Sequence, residues 1–105
     1  MLFRSLVAMF GEFGRTSKIN KDAGRDHWGH AGSMIFAGAG VRGGQVIGTT
    51  DERGEYVLDR AVRPPEVAAT IYHALGIDYT KSLITPQGRP VAILPDTEPI
   101  RELWG

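Results

Sequence analysis

The stretch LFRSLVAMF, residues 2–10, decides the fold class, because only Arg4 and Ser5 interrupt an otherwise apolar run. Continuous apolar runs of this length are typical of strands buried on both faces, as in parallel sheets that helices cover. The run from Leu6 to Phe10 is too short for a signal peptide, and no small-residue cleavage site follows it. We therefore predict a buried strand over 2–10 and an α/β protein around it.

Three further strands are predicted downstream. SMIFA, residues 33–37, predicts a short strand, and residues 45–50 and 55–58 predict a hairpin around 51–54. Four of the six prolines lie in the C-terminal tail. Because proline disfavours interior strands, we expect this tail to be a ribbon with at most one short strand.

The clearest predicted element is a helix over about 65–75. Pro65 lies in its first turn, Glu66 is near its positive end, and Gly76 is suited to end it. At about 100° per residue, one face collects the apolar side chains and the opposite face carries His73. The predicted apolar face consists of Val67, Ala68, Ile71, Ala74 and Leu75.

Composition limits the partners and the metal chemistry. The chain has 105 residues, with 12 basic and 12 acidic side chains, so no net charge favours nucleic acid or an anionic membrane surface. No apolar run approaches the roughly 20 residues that a membrane span needs. Cysteine is absent, so any metal ligands have to be His, Asp or Glu.

The predicted elements do not close a core. Two core strands and one helix cannot cover both faces of a sheet, yet the first strand has the pattern of a doubly buried one. We therefore expect residues 1–105 to form a single partial domain, the C-terminal portion of a larger one. The residues leave open a small α+β domain that is complete or that forms a homo-oligomer to cover its sheet.

A glycine pattern after the second strand resembles a nucleotide-binding fingerprint but lacks its helix. Gly38, Gly40 and Gly43 have the spacing of that fingerprint, in which the last glycine opens a helix that holds the pyrophosphate. Residues 44–50 have a β-like, glycine-broken sequence instead. We predict a strand-to-strand turn here.

The segment GRDHWGH, residues 24–30, holds the candidate metal ligands. Asp26 and His27 are adjacent, and in an irregular loop both side chains can turn toward one ion. Carboxylate and imidazole are ordinary ligands of zinc and manganese. The alternative is a structural loop in which Asp26 accepts capping hydrogen bonds and His27 stacks near Trp28. His30 can be a third ligand, a hydrogen-bond donor to a ligand, or an exposed side chain.

Three more charged residues belong to the candidate site. Glu12 follows the first strand, at the end where open α/β sheets bind ligands. Arg15 and Arg25 can bind an oxyanion by bidentate donation, or can pair with Asp22 or Glu12 in solvent.

The quoted segments also carry a family resemblance. MFGEFGRTSKINKDAGRDHW (9–28), IFAGAGVRGGQVIGTTDERGEY (35–56) and RPPEVAATIYHALGID (63–78), followed by GRPV and IREL, resemble the C-terminal end of the bacterial domain-of-unknown-function 1501 family. That family is similar to the alkaline phosphatase and sulfatase superfamily. The resemblance implies the C-terminal portion of a doubly wound α/β sheet.

The resemblance also implies a site. In that superfamily, acidic and His residues at strand ends bind divalent metals beside a Ser, Thr or modified Cys nucleophile. The resemblance makes Asp26 and His27 candidate metal ligands, with Glu12 as a third candidate. It implies zinc, manganese or calcium as the metal. Sulfatase-type relatives have Asp-His-Gly where this chain has Glu12-Phe13-Gly14, so an altered ligand set is expected. The nucleophile segment and the twin-arginine export signal of such proteins are not found in this sequence.

These observations lead to two expected functions. The first is a metal-dependent hydrolase of phosphate or sulfate esters, of which this chain supplies part of the metal site and is inactive alone. The second is a non-catalytic α/β module of an exported or periplasmic protein that binds a partner or carbohydrate. A truncated product, barely stable alone, is a third reading of the same residues.

Overall fold

The computed structural model describes residues 5–105, and the chain divides into two compact units, Met1–Ala61 and Val62–Gly105. The strands are β1 (Leu6–Phe10), β2 (Gly14–Arg15), β3 (His27–Trp28), β4 (Met34–Gly38), β5 (Thr49–Thr50), β6 (Val57–Asp59), β7 (Ser82–Ile84) and β8 (Pro90–Ala92). Helix α1 spans Pro64–Leu75, and a 3₁₀ helix spans Arg101–Trp104. Mixed strands with one α-helix in the described part agree with a generic α/β class.

The described strands form antiparallel pairs: β1 with β4, β2 with β3, β5 with β6, and β7 with β8. The strand predicted over 33–37 is confirmed with a shift of one residue. The predicted hairpin around 51–54 is also confirmed, although its first strand is limited to Thr49 and Thr50. The first unit is therefore built from short antiparallel ribbons.

The first predicted strand is confirmed over Leu6–Phe10, but its predicted environment is wrong for this chain. Residues 2–4 of that prediction lie outside the described residues. The strand pairs antiparallel with β4, which places Val7 and Met9 on the same face as Ile35. These side chains are 47%, 61% and 55% exposed. The reason is that the described part of the first unit contains strands but no helix to cover this face.

The turn predicted after the second core strand is confirmed. The Val41 N–H donates to the Gly38 carbonyl at 2.9 Å and closes this turn. The chain then continues without regular structure to β5, and a bulge interrupts the β5–β6 pairing between Thr49 and Thr50.

The predicted helix is confirmed as α1, Pro64–Leu75, in the second unit. At its start, the Arg63 N–H donates to a carboxylate oxygen of Glu66 at 3.3 Å. At its end, Gly76 has a φ of 73° and donates its N–H to the His73 carbonyl at 3.1 Å. Glycine tolerates this left-handed conformation without steric cost, so the sequence stops the helix where expected.

The buried face of α1 differs from the predicted one. Ala69 and Thr70 are fully buried, whereas Leu75 is 63% exposed. The cause is the C-terminal segment, because the Ile100 N–H donates to the Thr70 hydroxyl at 2.9 Å. His73 is exposed as predicted, and its ring meets the Trp104 ring edge-on at 4.9 Å between centroids.

The tail is more regular than predicted. It contains two strands, β7 and β8, in one antiparallel hairpin, where at most one was expected. The connecting turn is held by Thr85, whose N–H donates to the Arg89 carbonyl at 2.9 Å. Pro90 is the first residue of β8, a position at which a strand tolerates proline.

Of the helices in the described part of the chain, none has the length and apolar character needed to cross a membrane.

Candidate functional site

Four of the five residues predicted to form a site lie on one hairpin. Strands β2 and β3 pair antiparallel, with Arg15 opposite His27 and Gly14 opposite Trp28. Residues 16–26 connect these strands and are called the site loop below. Glu12 lies in the exposed bend between β1 and β2. Arg15, Arg25, Asp26 and His27 thus lie on a single β-loop-β segment, and Glu12 lies before it.

Thr16 closes the base of the site loop. Its N–H donates to the Asp26 carbonyl at 3.0 Å, and its hydroxyl accepts the Asp26 N–H at 3.1 Å. The same hydroxyl donates to the Lys18 carbonyl at 2.9 Å. The main chain on both sides of the Asp26 side chain is therefore fixed.

Asn20 organises the tip of the site loop. Its N–H donates to the Gly24 carbonyl at 2.8 Å, and its own carbonyl accepts the Ala23 N–H at 3.1 Å. Its side-chain oxygen accepts the N–H groups of Asp22, at 2.9 Å, and Gly24, at 3.0 Å. This is an Asx turn, a geometry that asparagine forms readily.

The Asp26 carboxylate is exposed and accepts one side-chain hydrogen bond. The donor is the Asn20 amide nitrogen, 3.0 Å from Oδ1 of Asp26. The structural-loop alternative predicted that Asp26 accepts hydrogen bonds within the loop, and the Asn20 bond is one of this kind. A hydrogen bond to one oxygen does not prevent a carboxylate from binding a cation through the other.

His27 stacks on Phe13. The two ring centroids are 4.0 Å apart, with an angle of 31° between the ring planes. The Arg15 guanidinium carbon lies 5.3 Å from the centroid of the same Phe13 ring. The structural-loop alternative placed His27 near Trp28, but the ring that contacts Trp28 is that of His30.

Arg15 and Arg25 bind main-chain carbonyls of the hairpin. Nη1 of Arg15 donates to the Arg25 carbonyl at 3.2 Å. Nη1 of Arg25 donates to the carbonyls of Thr16 and Ser17 at 2.7 and 2.8 Å. Both guanidinium groups thus hold the loop, a role that neither sequence alternative, oxyanion binding or pairing with Asp22 or Glu12, included. A guanidinium has five N–H donors, so these bonds do not use up either group.

The described residues do not gather a complete metal site. No three His, Asp or Glu side chains among residues 5–105 lie close enough together to hold one ion. The chemistry of the Asp26 and His27 donors fits zinc or manganese. Two donor residues are fewer than a complete site for such a metal needs, so these residues can supply only part of one.

A shallow open depression of about 310 Å³ borders Asp26. It is lined by Thr16, Lys18, Ile19, Asn20, Lys21 and Asp26. Its lining therefore carries charges of both signs, from two lysines and the Asp26 carboxylate.

The structure contains an aromatic cluster of Trp28, His30 and Tyr56, which the sequence analysis did not predict. The His30 ring lies 4.8 Å from Trp28 and 5.1 Å from Tyr56, and Trp28 meets Tyr56 at 5.7 Å. The Trp28 indole N–H also donates to the Glu55 carbonyl at 2.6 Å. The spacing of Trp28 and His30 places them on one side of an extended chain, but no pattern pointed to Tyr56.

The indole hydrogen bond gives a testable stability contribution. We expect Trp28→Phe to lower the free energy of unfolding by about 2 kcal/mol, because one hydrogen bond is lost together with the five-membered ring of the indole. Hydrogen exchange at the Asp51 amide, which binds the Tyr56 carbonyl, reports the change locally. Tyr56→Phe keeps both rings and the indole donor and serves as the control. Equal exchange rates in the two variants would show that the indole bond contributes nothing.

Comparison with known proteins places the chain in a family. A family model described as "Protein of unknown function (DUF1501)" covers residues 1–104. No curated protein and no solved structure matches the chain. The chain therefore belongs to the DUF1501 family of proteins of unknown function.

Proposed function

We propose that the chain is the C-terminal portion of a metal-dependent hydrolase of phosphate or sulfate esters, and that Asp26 and His27 supply part of its metal site. The observation that carries this proposal is that Asp26, on main chain that Thr16 holds, directly precedes His27, the first residue of β3. The resemblance of the DUF1501 segments to the alkaline phosphatase and sulfatase superfamily supports it.

The exposed face of β1 and β4 also supports a larger sheet. Val7, Met9 and Ile35 are apolar and largely exposed on a strand pair whose sequence pattern is that of a buried sheet. Further strands or helices of a doubly wound domain would cover this face. The single partial domain predicted over 1–105 would then be completed by sequence beyond this chain.

The proposed chemistry assigns separate tasks to the hairpin residues. A divalent cation bound there would polarise an ester oxygen and stabilise the negative charge that develops on it. Asp26 and His27 would be among the ligands of that cation. Glu12 does not form a three-ligand group with them in the described residues, so the remaining ligands would come from elsewhere. Arg15 and Arg25 would bind anionic oxygens of the ester through their N–H donors. The partial ligand set explains why we expect no turnover from this chain alone.

The proposal is tested by metal binding to the 105-residue chain. We expect Mn²⁺ to bind weakly and to broaden the NMR signals of Asp26 and His27 before those of other residues. Asp26→Ala and His27→Ala should each weaken this binding by about tenfold or more, because loss of even an indirect metal partner costs that much. Zinc content after dialysis provides a second measurement.

Asp22→Ala is the matched control. Asp22 lies in the same loop and is exposed, and its contact with Asn20 uses only its main-chain N–H. The Asp22→Ala substitution removes one carboxylate, as Asp26→Ala does, but it does not remove a proposed metal ligand. If Asp22→Ala and Asp26→Ala change Mn²⁺ affinity equally, the effect is general electrostatics and the assignment of Asp26 is wrong.

A non-catalytic module of an exported protein is the second candidate. It is favoured by the contacts of the site residues themselves, because Arg15 and Arg25 bind main-chain carbonyls and His27 stacks on Phe13. Under this alternative, Asp26→Ala and His27→Ala lower the melting temperature and leave metal content unchanged. The same set of variants therefore separates the two functions.

A further inference from the structure

We infer that Asn20 is a positioning residue for Asp26: its side-chain amide binds one carboxylate oxygen and sets the direction in which the other faces a divalent cation. This inference rests on the metal role proposed for Asp26. The contact that carries it is the hydrogen bond from Nδ2 of Asn20 to Oδ1 of Asp26, at 3.0 Å.

The orientation of the Asn20 amide follows from its partners. Its side-chain oxygen accepts two main-chain N–H groups, from Asp22 at 2.9 Å and from Gly24 at 3.0 Å. An NH₂ group cannot accept these bonds, so rotating the amide by 180° would leave both donors facing donors. The NH₂ group must therefore face Asp26, where the carboxylate can only accept.

Both ends of this bond are anchored by the main chain. The N–H and the carbonyl of Asn20 are each bonded within the loop tip, to Gly24 and Ala23. The Asp26 N–H and carbonyl are both bonded to Thr16. The amide and the carboxylate thus start from two fixed points, and their bond selects one rotamer of Asp26.

Fixing the carboxylate matters for a site with few ligands. A carboxylate has about four lone-pair sites on its two oxygens, and the Asn20 amide occupies one on Oδ1. The oxygen that the amide does not bind, Oδ2, is then presented in a constant direction. Groups that orient a metal ligand in this way typically raise metal affinity by about 10–100-fold.

Asn20→Ser separates this role from a structural one. A serine hydroxyl can still accept the N–H groups of the turn, as serine does in comparable turns, but it cannot reach Asp26 with a donor. The substitution leaves the net charge unchanged, so the general attraction of the loop for cations is the same. Amide exchange at Ala23 and Gly24 verifies that the turn survives.

The first readout needs no metal. We expect the two Hα–Hβ couplings of Asp26 to be unequal in the parent chain, as in one rotamer, and to become averaged in Asn20→Ser. The second readout is the Mn²⁺ affinity at Asp26, which should fall by about 10–100-fold. Asp22→Ala, in the same loop, should change neither the couplings nor the order of signal broadening.

The outcomes distinguish the inference from the proposed function. Unchanged Asp26 couplings in Asn20→Ser overturn the inference, whatever the metal result. Averaged couplings with unchanged Mn²⁺ affinity overturn its metal part. If the parent binds no Mn²⁺ while the couplings still respond, the proposed function fails and the positioning of Asp26 stands.

A second pair of variants covers the case in which Asn20→Ser does not fold. Asp26→Asn keeps an oxygen that can accept the Asn20 amide proton, whereas Asp26→Ala removes it. We expect the Asn20 side-chain NH₂ signals to shift strongly in Asp26→Ala and only slightly in Asp26→Asn. Equal shifts in both variants would contradict the hydrogen bond on which the inference depends.

Discussion

Replacing Gly14 by alanine is expected to disrupt the β2–β3 hairpin and the site loop that it carries. A Cβ atom built on Gly14 would lie 1.7 Å from the Ala31 carbonyl oxygen and 3.2 Å from the Trp28 carbonyl oxygen. Both obstacles are main-chain atoms, so no side-chain rotation relieves the overlap. Overpacking of this kind costs about 3 kcal/mol when the backbone has to move. We expect a loss of about that size in the stability of the hairpin.

The effect is measured by hydrogen exchange at three amides of the site loop. The N–H groups of Thr16, Asn20 and Ala23 donate to main-chain carbonyls and should be protected in the parent chain. If the hairpin loses about 3 kcal/mol of stability, the protection of these three amides against exchange should fall by roughly 100-fold in Gly14→Ala. Because this loop contains Asp26, Mn²⁺ binding should be lost together with the protection.

Gly29→Ala is the control, since it makes the same chemical change on the same segment. No heavy atom lies within 4 Å of a Cβ built on Gly29. We expect this variant to keep the parent's protection at all three amides. Parent-like exchange in Gly14→Ala as well would mean that β2 does not approach Ala31 as closely as the structure has it.

The sequence is sufficient to predict elements that depend on neighbouring residues. The α1 boundaries follow from prolines at the start, Glu66 in the first turn and Gly76 after the last turn, and all three features act within a few residues. The strand at Met34–Gly38 is likewise a local apolar run between glycines. These predictions hold because the forces behind them are local.

Burial is harder to predict because it depends on distant segments. The apolar pattern of β1 indicates which side chains can be buried, but not which segment covers them. In this chain Met9 is 61% exposed, although its pattern is that of a buried strand. On α1 the periodicity favoured Leu75, whereas Thr70 is buried because Ile100, 30 residues away, donates to it.

The candidate site shows the same limit. The segment containing Asp26 and His27 could be found from the sequence, because a carboxylate, an imidazole and flanking glycines are identified by residue type alone. It did not reveal that Phe13 stacks on His27 or that Asn20 binds Asp26, since both contacts depend on the path of the loop. The best available indication was Asn20 itself, an asparagine four residues before Gly24 in a loop that needs a tight turn.

Replacing Thr70 by valine is expected to detach the C-terminal segment from α1. The Thr70 hydroxyl accepts the Ile100 N–H at 2.9 Å and donates to the Glu66 carbonyl at 2.7 Å. Thr70 is 0% exposed and Ile100 is 4% exposed, so water cannot replace the acceptor without local opening. Valine keeps the shape and leaves a buried N–H without a partner, which costs about 2 kcal/mol.

Thr70→Ser identifies the hydroxyl as the cause. Serine keeps the acceptor and removes only a methyl group, for which we expect a loss of about 1 kcal/mol. Valine and serine have similar helix propensities, so the difference between the two variants does not arise from α1 itself. Amide exchange at Ile100 and Leu103 should therefore be much faster in Thr70→Val than in Thr70→Ser. The reverse order would mean that apolar packing alone holds Ile100 and Leu103, because only then does the lost methyl group outweigh the lost acceptor.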